Sequence, residues 1–237
     1  MKKLKTNDGS YTFLDSKVKE AYNPLTGAVE RAFNVYVNNI DFSSYKKIKI
    51  LDIGFGLGYN SLCIINKCLH KDINVEIFAI EKNISILNNI KNLEVDDYLK
   101  ESFNVLLNCA KLKRFNFDNV SFSLYIDDAV NAVNGLKEKF DVIILDPFSY
   151  SNNSELYKKE FLGILKGLLR DEKGYLICYN SNPVFVNNLI ENGFYVKKFM
   201  VSDYEYGIMA SPFIEFRLEE KDKKLVSYKY ISNLNFV

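Results

Sequence analysis

Short apolar runs alternate with amphipathic segments along most of this chain. The apolar runs have the length of buried strands and lie at residues 48–53, 75–80, 120–126, 140–145 and 175–179. Between them are segments with the apolar spacing of helices, at residues 61–69, 129–137, 155–169 and 183–192. This alternation predicts an α/β fold, with a Rossmann-like, doubly wound and mostly parallel sheet.

The two ends of the chain depart from this alternation. Residues 1–40 are predicted to form a small N-terminal extension, with a strand at 10–14 and an amphipathic helix near 29–37. Residues 41–237 are predicted to form the main domain. The connection at 82–118 is long, so we expect inserted helices there. Near the C-terminus, segments 194–201 and 208–218 predict an antiparallel hairpin, and residues 225–237 are a candidate edge strand.

A glycine-rich turn follows the first predicted core strand. Asp52 precedes glycines at positions 54, 56 and 58, and a helix is predicted to begin near Asn60. Glycines adopt positive φ angles and let a ligand approach bare backbone, while the helix N-terminus offers unpaired N–H groups. The dinucleotide-binding pattern G-x-G-x-x-G places its third glycine one residue later, where this chain has Tyr59. The spacing Asp-x-Gly-x-Gly-x-Gly instead resembles motif I of class I S-adenosylmethionine (SAM) methyltransferases.

Acidic residues follow the next two predicted strands. Because the carboxyl ends of parallel strands meet at one edge of a sheet, these side chains should face the glycine turn. Glu81 comes 23 positions after Gly58, near the separation at which a carboxylate binds a ribose diol; the alternative is an acidic helix cap. Asp128 is the candidate to accept a hydrogen bond from an adenine amino group. Asp127 is the alternative, with the other residue of the pair capping the next helix.

The fourth core strand ends at Asp146-Pro147-Phe148, the position that faces a transferred methyl group in this fold. An amine must be neutral to attack a sulfonium methyl, and a carboxylate can accept its hydrogen bond and relay its proton. Asp146 is therefore the candidate catalytic residue, and Phe148 is a candidate to face the sulfonium or the acceptor. The alternative is that Asp-Pro only terminates the strand.

Composition narrows the class of protein. The chain has 237 residues, of which 48% are hydrophobic and 26% charged, and its net charge is +1. A full core is therefore possible, and nucleic-acid binding would need a local basic face. A single histidine, His70, gives no basis for a histidine metal site, and surface placement is expected for it. Four cysteines without a C-x-x-C pattern are expected to be reduced, buried thiols. No secretory or membrane-spanning segment is evident, so a cytoplasmic location is expected.

The chain resembles the methyltransferase half of MnmC, the bifunctional enzyme of tRNA 5-methylaminomethyl-2-thiouridine biosynthesis. The resemblance covers about residues 8–215 and rests on the segments 22–30, 53–60, 124–129, 141–149 and 153–157. It implies a class I methyltransferase fold with SAM as cofactor, held by Gly54, Gly56, Gly58, Asn60, Glu81 and Asp128. It places Asp146 at the amine. Glu30, in the lead-in helix, is expected to close over cofactor or substrate, or else to be a solvated helix residue.

The resemblance further implies N-methylation of an aminomethyl group on a wobble uridine of tRNA. No FAD-dependent activity is expected, so another enzyme would supply the aminomethyl precursor. Phosphate contacts usually come from Lys and Arg, and the candidates are Lys111, Lys113, Arg114, Lys197 and Lys198. Two alternatives remain. One is amine chemistry of another kind, either aminopropyl transfer of the spermidine-synthase type or methylation of a small amine. The other is a non-catalytic RNA-binding protein with the same fold.

Overall fold

The structure, a computed structural model, describes residues 1–201 and 205–216. Its strands are β1 (Lys2–Lys5), β2 (Tyr11–Asp15), β3 (Glu20–Ala21), β4 (Lys47–Ile53), β5 (Asn74–Glu81), β6 (Arg114–Phe117), β7 (Val120–Ile126), β8 (Val142–Leu145), β9 (Tyr175–Cys178), β10 (Tyr195–Met200) and β11 (Tyr206–Ser211). Its α-helices are α1 (Ala28–Arg31), α2 (Tyr59–Cys68), α3 (Ile84–Ile90), α4 (Lys100–Leu112), α5 (Ala129–Gly135), α6 (Lys159–Leu168) and α7 (Pro183–Glu191). Helix α1 continues into a π-helical turn at Ala32–Tyr36 and a 3-10 turn at Val37–Asn39.

The central sheet has the strand order β10-β11-β9-β8-β4-β5-β7-β6. Strands β7, β5, β4, β8 and β9 are parallel, which confirms the predicted Rossmann-like, doubly wound fold. The chain direction along the sheet reverses between β4 and β8, because β4 leads to β5 on one side while β8 adds on the other. Ligands of such sheets bind beyond the strand ends at this reversal.

Burial explains why the central strands are almost entirely apolar. Helices cover both faces, and Ile50, Leu51, Ile53, Ile143 and Leu145 are all fully buried. Their side chains divide between two apolar clusters, one on each face of the sheet. The strands therefore form a rigid platform, and the loops at their carboxyl ends are the parts left free to carry chemistry.

Inserted helices were predicted for segment 82–118, but the segment is only partly helical. It contains α3, a 3-10 turn at Asp97–Leu99 and α4, but it ends in the strand β6, which pairs antiparallel with β7. The alternation of Phe115 and Phe117 with polar residues was the available signal. A tight turn at Asp118, with φ of 50°, joins the two strands. Strand β6 has only four residues, which is too short for a clear strand pattern in the sequence.

The predicted C-terminal hairpin is present. Strand β10 pairs antiparallel with β11, and β11 pairs antiparallel with β9. Strand β11 ends at Ser211, earlier than the predicted residue 218. The Ser211 hydroxyl there accepts hydrogen bonds from the N–H groups of Phe213 and Ile214, which turns the chain away from the sheet. The candidate edge strand at 225–237 lies outside the described residues.

The N-terminal extension is larger than the single strand predicted at 10–14. Strands β1, β2 and β3 form a separate antiparallel sheet. Its β1–β2 turn carries Asp8, whose carboxylate accepts a hydrogen bond of 2.9 Å from the backbone N–H of Glu30 in α1. Gly27 permits this approach, because a Cβ there would lie 2.6 Å from the Asp8 carboxyl carbon. Phe13 and Tyr36 of the extension join the same apolar cluster as Ile50 of the main sheet.

Two compositional expectations can be compared with the structure. All four cysteines are buried free thiols. Across residues 1–201 and 205–216, no helix has both the length and the apolarity needed to cross a bilayer.

His70 lies on the surface, as predicted, but it is not without contacts. Its Nε2 lies 2.8 Å from a Glu101 carboxylate oxygen, and its Nδ1 lies 3.1 Å from an oxygen of Asp118. The imidazole thereby joins the end of α2 to α4 and to the β6–β7 turn. The hydrogen bond with Glu101, helped by the nearby carboxylate charges, raises the pKa of His70 above its ordinary value.

This contact predicts a pH-dependent contribution to stability. Since the folded-state pKa of His70 lies above its unfolded value, the contribution is complete below about pH 6.5 and is lost as the pH rises through the folded-state pKa. A His70→Asn variant tolerates the local φ of 59° but cannot carry the charge. Thermal melting should therefore show a larger deficit for the variant at pH 6 than at pH 9. An equal deficit at both values would contradict the role.

Candidate active site

A cavity of about 680 Å³ opens at the carboxyl ends of the parallel strands. This volume is typical of small-molecule sites. The predicted site residues that line it are Gly54, Gly56, Asn60, Glu81, Asp127, Asp128, Asp146 and Phe148. Gly58 lies just behind the wall, and Glu30 is exposed outside it. The N-terminal extension supplies part of the lining as well, through residues 15–18 and 20–23 and through Arg31.

The glycine turn after β4 uses positive φ angles at all three glycines, 89° at Gly54, 53° at Gly56 and 80° at Gly58. A Cβ on Gly54 would lie 2.4 Å from the Asp146 carbonyl oxygen, so only glycine allows the β4 and β8 loops to meet. A Cβ on Gly58, at the N-terminus of α2, would lie 2.7 Å from the Phe55 ring. The turn therefore needs glycine for its own packing as well as for ligand approach.

The backbone N–H groups of this turn already have acceptors. Those of Gly54 and Phe55 donate to the Ile80 carbonyl, that of Gly56 donates to Glu81, and that of Gly58 donates to the Phe55 carbonyl. The sequence predicted unpaired N–H groups at the N-terminus of the following helix, and these are distinct from the amides of the turn. In the structure four amides of the turn are used internally, which fixes the turn against β5.

Glu81 is the residue that fastens the turn. It is 7% exposed, and its Oε2 accepts from the Gly56 N–H at 2.8 Å while Oε1 accepts from the Asn83 N–H at 2.6 Å. Burial raises the pKa of this carboxyl, and the backbone hydrogen bonds partly offset that effect. Each carboxylate oxygen retains a second lone pair, so the group lining the cavity can still accept from a diol. The helix cap that the sequence left as an alternative is made by Asn83, whose side chain accepts from the Ser85 N–H, and not by Glu81.

Asp127 and Asp128 both reach the cavity at the end of β7. The Asp128 carboxylate caps α5 by accepting from the Val130 N–H at 3.0 Å, and it pairs with the Lys82 ammonium at 2.7 Å. The hydrogen bond with Lys82 holds its pKa below the ordinary value. Asp128 therefore fills the capping role that the sequence left open for one of the pair. Asp127 accepts only the adjacent Asp128 N–H among the described contacts, at 2.7 Å.

Asp146 is held from two sides. Its Oδ1 lies 2.5 Å from Nη2 of Arg31, and its Oδ2 accepts from the Asn60 side-chain amide at 2.8 Å. Its side chain is only 8% exposed. Pro147 follows and keeps Asp146 out of the helical region. The carboxylate is therefore fixed in one orientation on the cavity wall, with its remaining lone pairs available to a ligand.

Arg31 is the site residue that sequence reasoning missed. It lies at the end of α1, its side chain is 14% exposed, and its guanidinium stacks 4.0 Å from the Tyr179 ring centroid. The sequence pointed to the neighbouring Glu30, which is exposed and lies outside the cavity lining, as the alternative of a solvated helix residue had it. The π-helical turn after Arg31 was the undetected element, since such turns are frequent at functional sites.

An aromatic pair stands at the cavity wall opposite this ion pair. The rings of Tyr22 and Phe148 lie 4.9 Å apart, and Tyr22 approaches Gly56 so closely that a Cβ there would lie 3.1 Å from the ring. The Tyr22 hydroxyl accepts from the Asn83 side-chain amide at 2.9 Å. Glu20 binds the adjacent loop by accepting from the Ser149 N–H at 2.9 Å.

Asp52 belongs to the support of the site and not to its surface. It is fully buried, does not line the cavity and accepts a hydrogen bond of 2.7 Å from the Ser61 hydroxyl. Burial raises the pKa of Asp52 to about 7. It therefore ties the end of β4 to the first turn of α2.

The basic residues proposed for phosphate contacts do not line this cavity. Lys113 and Arg114 lie at the β6 edge of the sheet, and Lys197 and Lys198 lie on β10 at the opposite edge. The cations that line the cavity are Lys17, Arg31 and Lys82. In the part of the chain that the structure describes, no cluster of three histidine, cysteine, aspartate or glutamate side chains fits a metal ion.

Comparison with known proteins agrees with this geometry. A family described as S-adenosyl-L-methionine-dependent methyltransferases matches residues 93–202. The crystal structure of MnmC2 from Aquifex aeolicus superposes with a TM-score of 0.81 and 26% identity, over 97% of this chain and 75% of that one. An uncharacterized protein of Methanocaldococcus jannaschii is 25% identical over 97% of this chain.

Among curated proteins, the tRNA 5-methylaminomethyl-2-thiouridine biosynthesis bifunctional protein MnmC of Campylobacter jejuni subsp. doylei is 28% identical over 90% of this chain. The chain spans 65% of the length of the archaeal relative and 36% of the length of this MnmC. It therefore corresponds to one part of the bifunctional protein. With a fold and a cavity of the same kind, these matches identify the chain as a SAM-dependent methyltransferase that is similar to the corresponding part of MnmC.

Proposed function

We propose that this methyltransferase transfers a methyl group from SAM to the amine of an aminomethyl group on a modified uridine of tRNA. The observation that carries the proposal is the Asp146 carboxylate, fixed by Arg31 and Asn60 on the cavity wall beside the glycine turn. The Campylobacter relative is named for 5-methylaminomethyl-2-thiouridine biosynthesis in tRNA, and 90% of this chain aligns with 36% of that protein.

The residues along the sheet edge fit an adenosyl group. Asp127 and Asp128 at β7 suit an adenine amino group, and Glu81 at β5 suits a ribose diol without a phosphate. The glycine turn at β4 then faces the sulfonium: Gly54, Gly56 and Asn60 line that wall, and Gly58 supports the turn from behind it. Bound there, SAM supplies an electrophilic methyl group on a positively charged sulfur.

Asp146 supplies the acid–base chemistry on the acceptor side. Alkylammonium groups have pKa values near that of lysine, about 10, so the acceptor must lose a proton before its lone pair can attack. A carboxylate held in one orientation accepts the amine hydrogen bond and directs the lone pair at the methyl carbon. As the carbon–sulfur bond breaks and the new carbon–nitrogen bond forms, positive charge moves from sulfur to nitrogen. Asp146 stabilises that charge and takes up or relays the proton.

The aromatic pair fits a base at the cavity mouth. Tyr22 and Phe148 line the same cavity as Asp146, and splayed RNA bases stack on aromatic rings of this kind. Lys17, in the exposed β2–β3 turn, lies at the same opening and is placed to meet a phosphate. Both features favour a nucleotide over a small free amine as acceptor.

The proposal is tested with tRNA that carries the unmethylated aminomethyl wobble uridine. Incubation of this tRNA with the protein and SAM, followed by mass spectrometry of its nucleosides, should show one added methyl group on that base. Decarboxylated SAM in place of SAM should give no transfer. Methylation of a free small amine but not of the tRNA, or aminopropyl transfer from decarboxylated SAM, would contradict the proposal.

An Asp146→Asn variant should lose about 10²–10⁴-fold in kcat, which is the usual contribution of a positioned acid–base group. Its affinity for S-adenosylhomocysteine should change little, because Asp146 acts on the acceptor. A Glu155→Gln variant removes another cavity carboxylate without touching Arg31 and serves as the matched control. If Asp146→Asn keeps near wild-type turnover, Asp146 does not position the amine.

A Glu81→Ala variant should weaken S-adenosylhomocysteine binding by about 1.5–3 kcal/mol, the loss expected for a charge-assisted hydrogen bond. The change also frees the Gly56 and Asn83 N–H groups that Glu81 binds. Glu81→Gln keeps one acceptor oxygen and should lose less. Isothermal calorimetry measures both, and thermal melting reports any loosening of the turn. Unchanged affinity in the alanine variant would refute the ribose contact.

A further inference from the structure

The cavity contains one cation that is withdrawn from solvent among the described lining residues. Lys17 lies in an exposed turn, and the Lys82 side chain is 72% exposed and paired with Asp128. The Arg31 side chain is only 14% exposed. A charge in that position interacts more strongly with a bound anion than a solvated lysine does, because less water screens it.

The Arg31 guanidinium has more N–H groups than its contact with Asp146 uses. It has five N–H groups. One nitrogen, Nη2, pairs with Asp146, and the planar face lies on Tyr179. Its Nε is buried and meets no acceptor in the described part of the chain. The described contact of Asp146 is with Nη2 alone, so the fork keeps N–H groups with which it can bind a second carboxylate.

The amides of the glycine turn are poorly placed to bind such a carboxylate. Four of its amides, at residues 54, 55, 56 and 58, already donate to protein acceptors. An anionic group lying against the turn therefore finds no unpaired N–H group at these four positions. Arg31, which lies against the adjoining β8 loop through its pair with Asp146, adds a largely buried positive charge to the same wall.

Strand order shows which end of the cofactor reaches Arg31. Neighbouring strands are about 4.8 Å apart, and the order here is β7, β5, β4, β8. If adenine lies at β7 and the ribose lies at β5 beside Glu81, the sulfonium falls over the glycine turn of β4. The amino-acid arm then extends toward β8, where Asp146 and Arg31 meet.

We propose that Arg31 binds the α-carboxylate of SAM and thereby selects SAM over its decarboxylated form. The inference rests on the proposed placement of the adenosyl group along the sheet edge. Arg31 then lies between two carboxylates, that of the cofactor and that of Asp146, and one positive charge orients both. Methyl transfer and aminopropyl transfer differ in whether the donor carries this carboxylate, so Arg31 is a specificity-determining residue.

The test compares two ligands that differ only in the carboxylate, S-adenosylhomocysteine and S-adenosyl-3-thiopropylamine. Calorimetry measures both with the wild-type protein, Arg31→Lys and Arg31→Met. We expect Arg31→Met to weaken S-adenosylhomocysteine binding by about 10- to 100-fold and to leave the affinity for the amine analogue within about threefold. Arg31→Lys should restore part of the lost affinity, because lysine keeps the charge without the fork.

Lys82→Met is the matched control, since it removes a cavity cation on the adenine side. It should change the two affinities by the same factor. Melting temperatures show whether each variant is folded, and Arg31→Lys retains a charge beside Asp146 if Arg31→Met does not fold. Equal losses for both ligands in the Arg31 variants, or equal wild-type affinities, would overturn the inference alone. Failure of the wild type to bind S-adenosylhomocysteine at all would overturn the proposed function with it.

Discussion

The ion pair between Arg31 and Asp146 is the constraint on which the arrangement of this site depends. It joins the N-terminal extension to the end of β8 at a separation of 2.5 Å, with both side chains largely buried. Breaking a buried pair by removing one partner leaves an uncompensated charge and is strongly destabilising, by about 3–5 kcal/mol. The extension therefore cannot move away from the sheet without that penalty. What reads in the sequence as an appendage is part of the cavity wall.

The same region shows how environment distinguishes chemically identical groups. Burial raises the pKa of Asp52 to about 7, while the hydrogen bond with Lys82 lowers the pKa of Asp128. Burial raises the pKa of Glu81, although hydrogen bonds from backbone N–H groups favour its charged form. The first group supports a turn, the second caps a helix, and the third fastens the glycine loop. Carboxylates gathered at one sheet edge thus have separate structural duties before any ligand binds.

Several predictions from the sequence were confirmed because they depend on local physics. Alternating apolar runs and helical spacings predicted the parallel sheet and its terminal hairpin. Strand ends predicted that Gly54, Glu81, Asp128 and Asp146 would meet at one edge, and all four line the cavity; Asp52, predicted at the same edge, is buried beneath it. The strands β1, β3 and β6 were missed, since short antiparallel strands of two to four residues carry little periodic signal. Glu30 was placed in the site and Arg31 was not, because a helical pattern cannot show which polar residue turns inward at a π-helical turn.

By itself, the sequence determined the α/β architecture, the glycine turn and the acidic residues that the strand ends deliver to it. These follow from hydrophobic periodicity and from the rule that parallel strands end on one side of a sheet. Only the tertiary structure decided that Arg31 binds Asp146 and that the Tyr22 ring lies against Gly56. It also decided that the N–H groups of the glycine turn donate to acceptors within the protein. Those contacts join residues up to 115 positions apart in the chain, and a separation of that size leaves no trace in local spacing.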